Sequence, residues 1–275
     1  MGGIGQAARL VVPELRKKIA DPGCLHRMAA LEAVWWIERD KTVVAEFRTA
    51  IRGQMDEAIG AAAILGELGA DADEVVPDLI KLLWNESSGH VGAEAIGRIG
   101  RGGKSAIPAL IRVLQDKDLH HSSYSSAAEA LGLFGAKAKA AVPALVKLLD
   151  HPEILVKAHA ALALWRIDRN SEGKKALALA RHSRKYAAYI TALEAEWLME
   201  RGPETIRDLI QELRDAGMSN DPAAGNRRYM AARALGRVGP LAKDALPDLK
   251  ELLFIDDPIL RGHVAAVVAI IEGKK

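Results

Sequence analysis

The sequence is poor in the residues on which disulfide-stabilised, zinc-dependent and membrane proteins depend. Its 275 residues include a single cysteine, Cys24, which excludes an internal disulfide and a cysteine-based structural zinc site. Aromatic residues make up only 4%, and no stretch approaches the ~18 uncharged apolar residues of a membrane-spanning helix. The N-terminus lacks the basic start and apolar run of a secretory signal. We therefore expect a protein without a membrane segment, located in the cytoplasm.

An excess of charge of either sign is also missing. The chain carries 38 Lys and Arg against 36 Asp and Glu, a net charge of +2, so no overall electrostatic attraction to nucleic acid or anionic membrane is expected. Alanine, in contrast, is abundant, with 48 residues. An alanine-rich chain with few aromatic residues favours closely packed helices, and we predict an all-α fold.

An internal repeat runs along almost the whole chain. Variants of the pattern Val-Pro-x-Leu-x-x-Leu-Leu begin at Val76, Ile107, Val142 and Leu246, and a shorter copy begins at Val12. Three of the prolines, at positions 77, 108 and 143, are separated by 31 and 35 residues, a period typical of stacked helical repeats. Degenerate copies near 42–53, 174–182 and 203–214 fill the longer gaps.

A second motif, Leu-Gly-x-x-Gly, precedes four of the proline segments. Each copy lies at the end of an alanine-rich stretch whose apolar residues recur with the period of an α-helix. The copies end at Gly69, Gly100, Gly135 and Gly239. The final glycine can adopt the left-handed conformation that ends a helix, and the inner glycine allows a neighbouring helix to approach closely. Proline in the first turn of the next helix sacrifices no hydrogen bond. Each repeat is thus predicted to be a first helix, a glycine turn and a proline-started helix.

Together these motifs resemble the HEAT-like repeat, in the short form named after phycobilisome lyases. The resemblance covers nearly the whole chain and implies an α-solenoid of about eight helix pairs, with the proline-started helices on its concave side. We expect residues 1–275 to form one continuous solenoid domain. The resemblance implies no single activity, because such repeats occur in scaffolds, lyases and nucleic-acid enzymes.

Motifs that imitate catalytic sites are explained by the repeat. Residues 97–105 resemble the sequence motif of a phosphate-binding loop. However, Arg98 replaces the first glycine of that motif, and the segment follows a predicted helix, whereas a phosphate-binding loop follows a β-strand. The eight histidines include no His-Glu pair, the iron-binding pair of HEAT-like hydroxylases. The adjacent His120 and His121 have no third ligand nearby in the sequence. We therefore expect no catalytic residue, no metal and no cofactor.

The strongest functional signal is a column of cations. Several repeats place a Lys or Arg four residues after the proline, a position that faces away from the apolar core positions two, five and six. Trp84 lies seven residues after Pro77, at the margin of the buried stripe. In later repeats acidic residues stand at or beside the cationic position: Glu251 lies four residues after Pro247 and Asp208 lies five residues after Pro203. Solvated lysine is also common at exposed positions. The predicted partner-binding ladder consists of Lys17, Lys81, Trp84, Arg112, Lys147 and Arg181.

These observations favour a non-catalytic scaffold that binds a macromolecular partner, in the first place a protein, on the concave face. Two alternatives stay open. One is a nucleic-acid-binding protein similar to HEAT-like DNA glycosylases, which would use the basic ladder with Asp78 or Asp116 as the carboxylate. The other is a bilin lyase-like protein, which the repeat type suggests.

The two ends of the array bear on assembly. The first proline-started helix is preceded only by a remnant at 2–8, and the last helix, near 260–271, is apolar nearly all round. Because a solenoid needs a polar outer face on its terminal repeats, we expect either self-association through an uncapped end or a longer parent protein.

Overall fold

The computed structural model describes residues 8–21, 24, 26–100, 102–170, 172–183, 186–200, 202–218 and 224–273. Within these ranges the chain forms α-helices, short 3-10 helices and turns, and no β-strand. The all-α prediction is confirmed. The contacts of the chain define two compact units: unit 1 comprises Met1–Leu145 with Arg166–Asp168, and unit 2 comprises Val146–Trp165 with Arg169–Lys275.

Unit 1 alternates first helices with proline-started helices, joined by 3-10 turns at Gly69–Val75, Gly102–Ala106 and Gly135–Ala141. Two further helices, α9 (Val142–Lys147) and α10 (Ile154–Asp168), contain residues of both units. The helices that lie wholly in unit 1 are α1 (Val12–Ala20), α2 (Arg27–Glu38), α3 (Thr42–Ile51), α4 (Met55–Leu68), α5 (Val76–Leu82), α6 (Gly89–Ile99), α7 (Ile107–Gln115) and α8 (His121–Phe134).

Unit 2 repeats the same alternation, with 3-10 segments at Gly239–Ala245 and Leu252–Phe254. Its helices are α11 (Lys174–Arg181), α12 (Tyr186–Glu200), α13 (Pro203–Met218), α14 (Ala224–Val238), α15 (Leu246–Glu251) and α16 (Pro258–Glu272). From the sequence alone, the polar, glycine-containing stretch 215–226 favours a surface loop between two helices. Most of that segment is helical instead, since α13 extends to Met218 and α14 begins at Ala224, while 219–223 lie outside the described residues.

The glycine turns have the backbone conformation that the second motif predicts. The final glycines of the motif have φ between 57° and 75°, in the left-handed region where a side chain is strained: Gly69, Gly100, Gly135 and Gly239. In two degenerate repeats an arginine takes this conformation, Arg39 at φ 54° and Arg169 at φ 62°. Proline stands in the first turn of α1, α5, α7 and α15, as expected.

The inner glycines lie where first helices cross most closely. A Cβ atom added to Gly97 in α6 would lie 2.9 Å from the Cα atom of Ala130 in α8. At Gly66 in α4 the corresponding distance to the Cα atom of Ala95 would be 3.1 Å. Such distances are shorter than carbon–carbon van der Waals contact, so these two positions accept no side chain without movement of a neighbouring backbone.

We predict that Gly97→Ala destabilises unit 1 by ~1–3 kcal/mol, because relief of the clash requires α6 and α8 to separate. This cost exceeds the ~1 kcal/mol that alanine gains over glycine in a helix. The matched control is Gly60→Ala in α4, where the added Cβ would lie 3.8 Å from Met28 Cγ, an ordinary contact. Urea denaturation followed by circular dichroism should show a lower midpoint for Gly97→Ala only; equal midpoints would contradict this close-approach role.

The buried positions of the proline-started helices follow the predicted register. The side chain two positions after each proline is fully buried, at 0% exposure, in four repeats: Leu79, Leu110, Leu145 and Leu249. Positions five and six are also buried in α7, where Val113 is 1% and Leu114 is 7% exposed. The cationic position between them is therefore directed away from the core.

The chain ends only partly match the expectation. The remnant at 2–8 lies outside the described residues except for Ala8. In the last helix, α16, Val264, Val267 and Ile271 are buried, while Ile270 is 51% exposed. One side of α16 is thus apolar and open to solvent, and self-association through this end stays a prediction.

Candidate partner-binding surface

Helices α3 and α5 of unit 1, with Arg52 directly after α3, gather three cations around one buried carboxylate. Asp78 follows Pro77 in the first turn of α5 and is 1% exposed. Arg48 Nε of α3 donates to Oδ2 at 2.7 Å, and Arg52 donates from Nε to Oδ1 at 2.9 Å and from Nη2 to Oδ2 at 3.0 Å. Lys81 Nζ donates to Oδ1 at 3.1 Å. We call these four residues the Asp78 cluster.

The Asp78 cluster carries a net positive charge. Burial by itself raises the pKa of Asp78, but hydrogen bonds from Arg48, Lys81 and Arg52 together outweigh burial and hold the pKa below its ordinary value. The carboxyl group is therefore ionised at neutral pH and neutralises one of the three cations. The side chains of Arg48, Arg52 and Lys81 remain 40%, 53% and 72% exposed, so the excess positive charge faces solvent.

A cationic and aromatic pair lies at the other end of α5. Trp84 follows the last turn of this helix and is 37% exposed. The guanidinium carbon of Arg112, in α7, lies 4.9 Å from the centroid of the indole. Stacking on an aromatic face orients a guanidinium while its N–H groups, which lie in its plane, can still bind an anion.

Three of the six predicted ladder residues thus belong to α5, its C-terminal end and α7 in unit 1: Arg112 contacts Trp84, and Lys81 contacts Asp78. Lys17 also belongs to unit 1, in α1, where it pairs with Glu14 of the same helix at 3.2 Å. Lys147 is exposed and belongs to unit 2.

Arg181, the remaining ladder residue, is engaged within unit 2. Its Nη2 donates to Asp208 Oδ2 at 2.5 Å, and its Nε lies 3.3 Å from Glu196 Oε2. Its guanidinium also stacks on Tyr189, 4.8 Å from the ring centroid. Two carboxylates thus compensate the charge of Arg181, which distinguishes it from the net positive cluster of unit 1.

Sequence reasoning missed Arg48 and Arg52, although a recurring signal exists for such pairs. Asp248 stands one residue after its proline in α15, as Asp78 does in α5. It too is bound by an arginine of the preceding proline-started helix: Arg214 Nε lies 2.7 Å from Oδ1 and Nη2 lies 3.0 Å from Oδ2. An aspartate directly after the repeat proline therefore marks an ion pair to the previous repeat.

The histidines form no cluster with other metal-binding side chains in the described part of the chain. Nowhere among the described residues do three His, Cys, Asp or Glu side chains come close enough to share a metal ion. His120 and His121 stack on each other at 3.8 Å between ring centroids, and His120 caps α8 by accepting from the backbone N–H of Ser122. In the described part of the chain, the helices are too short or too polar to cross a membrane.

Comparison with known proteins identifies the repeat. Residues 124–151 and 227–254 match the profile of the PBS lyase HEAT-like repeat, and each match includes one Leu-Gly-x-x-Gly motif with the proline segment after it. The resemblance inferred from the sequence is confirmed at these two positions. A comparison with curated protein sequences gives no match.

Solved structures agree with this assignment of the fold. The chain is similar to the complex of CpcE and CpcF of phycocyanin lyase from Nostoc sp. PCC7120, with a TM-score of 0.51 and 21% identity over 83% of this chain and 94% of that chain. Human deoxyhypusine hydroxylase is also similar, with a TM-score of 0.43 and 17% identity over 98% of each chain. The first similarity supports an all-α fold of the HEAT-like solenoid class.

Proposed function

We propose that this chain is a non-catalytic interaction protein that binds a protein partner on the proline-started helices of unit 1. The observation that carries the proposal is the exposed positive charge of the Asp78 cluster, which shares helix α5 with the Trp84–Arg112 pair. Arginine and tryptophan are the residues most enriched among those that dominate protein–protein binding energies. The similar CpcE–CpcF structure is itself a complex of two proteins.

Stability alone does not account for this concentration of cations. Lys81 is 72% exposed, and both oxygens of its buried partner Asp78 already accept hydrogen bonds from Arg48 and Arg52. Arg112 is exposed and stacks on an indole that is itself 37% exposed. Both cations therefore add little to folding and are well placed to contact a partner.

We predict that the double variant Lys81→Glu, Arg112→Glu loses partner binding by about 100-fold or more, since each reversal replaces attraction by repulsion at the interface. The fold should persist, because Arg48 and Arg52 still bind both oxygens of Asp78 and Arg112 is exposed; circular dichroism of the variant checks it. The measurement is co-purification from the host with tagged protein, followed by titration of the identified partner against wild type and variant.

The matched control is Lys137→Glu, Lys139→Glu, which makes the same change in net charge at two exposed lysines of the Gly135–Ala141 segment. This control should bind within about twofold of wild type at physiological salt, because the two lysines lie in the segment between α8 and α9 and belong neither to the Asp78 cluster nor to the Trp84–Arg112 pair. Wild-type affinity in the Lys81, Arg112 variant would place the partner elsewhere.

A bilin lyase-like function is the second candidate, favoured by the match of two segments to the PBS lyase HEAT-like repeat. Its test is simple, because a bound or attached bilin changes the visible absorption spectrum. Mixing the purified protein with a free bilin should produce a shifted visible band under this alternative and an unchanged bilin spectrum under the interaction function.

A further inference from the structure

We infer that the partner segment bound by unit 1 is acidic, and that two arginine sites at opposite ends of α5 bind two of its carboxylates. This inference rests on the proposed function and specifies the chemistry of the partner. Each site contains a guanidinium that is already oriented by a neighbour and still has N–H groups to offer.

The first site is the Asp78 cluster. Arg48 donates only its Nε–H to Asp78, and Arg52 donates from Nε and one terminal nitrogen. An arginine has five N–H donors, so most donors of both side chains remain available to an external anion. Asp78 is buried and orients both guanidinium groups, as a positioning residue that does not itself contact the partner.

The second site is Arg112 on Trp84. The indole provides an apolar face that holds the guanidinium 4.9 Å from the ring centroid and accepts no conventional hydrogen bond from its in-plane N–H groups. A carboxylate can therefore bind the edge of Arg112 in the bidentate geometry that arginine favours. Because the side chain is oriented beforehand, less conformational entropy is lost on binding.

The distance between the two arginine sites along α5 determines how far apart two carboxylates of a bound peptide should be. Asp78 lies in the first turn of α5 and Trp84 lies two residues after its last residue, Leu82. The six residues between Asp78 and Trp84 correspond to a rise of ~9 Å along the helix axis at 1.5 Å per residue. An extended peptide advances about 3.3 Å per residue. Two acidic residues separated by three positions, as in Asp-x-x-Asp, match this axial distance between the residues that orient the two sites.

An acidic protein segment fits this surface better than a nucleic acid. A phosphate backbone presents one charge per ~3.4 Å of each strand and is bound by a long run of cations. Two other ladder cations are compensated instead: Lys17 pairs with Glu14, and Arg181 pairs with Asp208 and Glu196. A short basic surface of this kind matches two carboxylates of a peptide.

The test uses the full chain and fluorescein-labelled glycine–serine peptides of about ten residues, the length of an extended segment that covers both sites. One carries Asp-x-x-Asp, one carries two adjacent aspartates, and one carries asparagine at both positions. Fluorescence anisotropy at physiological ionic strength should show the Asp-x-x-Asp peptide binding about fivefold tighter than the adjacent pair and at least about tenfold tighter than the asparagine peptide.

Variants and competitors separate this inference from the proposed function. Arg112→Glu should lose at least about tenfold of the affinity for Asp-x-x-Asp, and Lys137→Glu, Lys139→Glu should lose less than about twofold. Equal affinity for all three peptides would overturn the acidic-segment inference, even where Lys81→Glu, Arg112→Glu still abolishes partner binding. Tighter, steeply salt-dependent binding of a single-stranded oligonucleotide of equal charge would overturn it in favour of nucleic acid.

Discussion

Replacement of Leu110 by alanine is expected to destabilise unit 1 by ~2–5 kcal/mol, the usual cost of a leucine-sized cavity in a core that relaxes only partly. Leu110 is 0% exposed and stands two residues after Pro108 in α7. The loss should appear as a lower urea midpoint by circular dichroism. Because each repeat contacts mainly its neighbours, α7 and α8 should lose hydrogen-exchange protection first.

Leu133 provides the control for this cavity effect. It lies in the neighbouring helix α8 and is 41% exposed, so Leu133→Ala removes much less buried apolar surface and should cost no more than about 1 kcal/mol. Equal midpoints for the two alanine variants would show that the core register of the proline-started helices is misassigned.

The double variant Arg48→Gln, Arg52→Gln is expected to lose about 3 kcal/mol of stability at neutral pH. It leaves the buried carboxylate of Asp78 with Lys81 as its only charged partner, and an undercompensated buried charge is strongly destabilising. The hydrogen bonds that it removes span 2.7–3.0 Å to a side chain that is 1% exposed. Denaturant unfolding at several pH values measures the loss.

The pH dependence of this loss has a definite sign. The folded-state pKa of Asp78 lies below its ordinary value, so in the wild type the cluster stabilises the fold above the ordinary carboxyl pKa, and this contribution disappears as the pH falls through the folded-state pKa. The double variant lacks that contribution. The difference in stability between the two proteins should therefore shrink in acid.

Addition of Asp78→Asn to the double variant supplies an internal rescue. The amide removes the buried charge, so the triple variant should be more stable at neutral pH than Arg48→Gln, Arg52→Gln alone. The role assigned to the two arginines would be contradicted if the double variant were as stable as wild type, or if the triple variant were less stable than the double variant.

The regular features of the fold were predictable because they depend on local backbone chemistry. Gly100 and Gly135, both with positive φ, end their first helices. Proline then starts the next helix, and the leucine two residues after that proline is buried. All of these can be read within one repeat. Where a repeat lacks the glycine of the motif, the sequence no longer predicts which side chains are buried. Trp35 is 1% exposed, whereas the adjacent Trp36 is 48% exposed beneath the guanidinium of Arg39.

The ion pairs of the candidate site could not be predicted in the same way. They join helices of successive repeats, and their members lie about one repeat apart in sequence, as Arg52 and Asp78 do. Arg48 and Arg52 belong to a degenerate copy that has no proline to fix its register. The sequence pattern therefore predicts Lys81 and Arg181 as equivalent binding residues, although the charge of Arg181 is compensated by Asp208 and Glu196.

Photo-crosslinking from position 84 tests the proposed binding surface most directly. A benzoylphenylalanine in place of Trp84 would lie on the proline-started face of unit 1, and the same group in place of Leu133 would lie on the exposed side of first helix α8. We predict a covalent adduct with the co-purifying partner from position 84 and none from position 133. An adduct from position 133 alone would contradict the assignment of the binding surface to the proline-started helices.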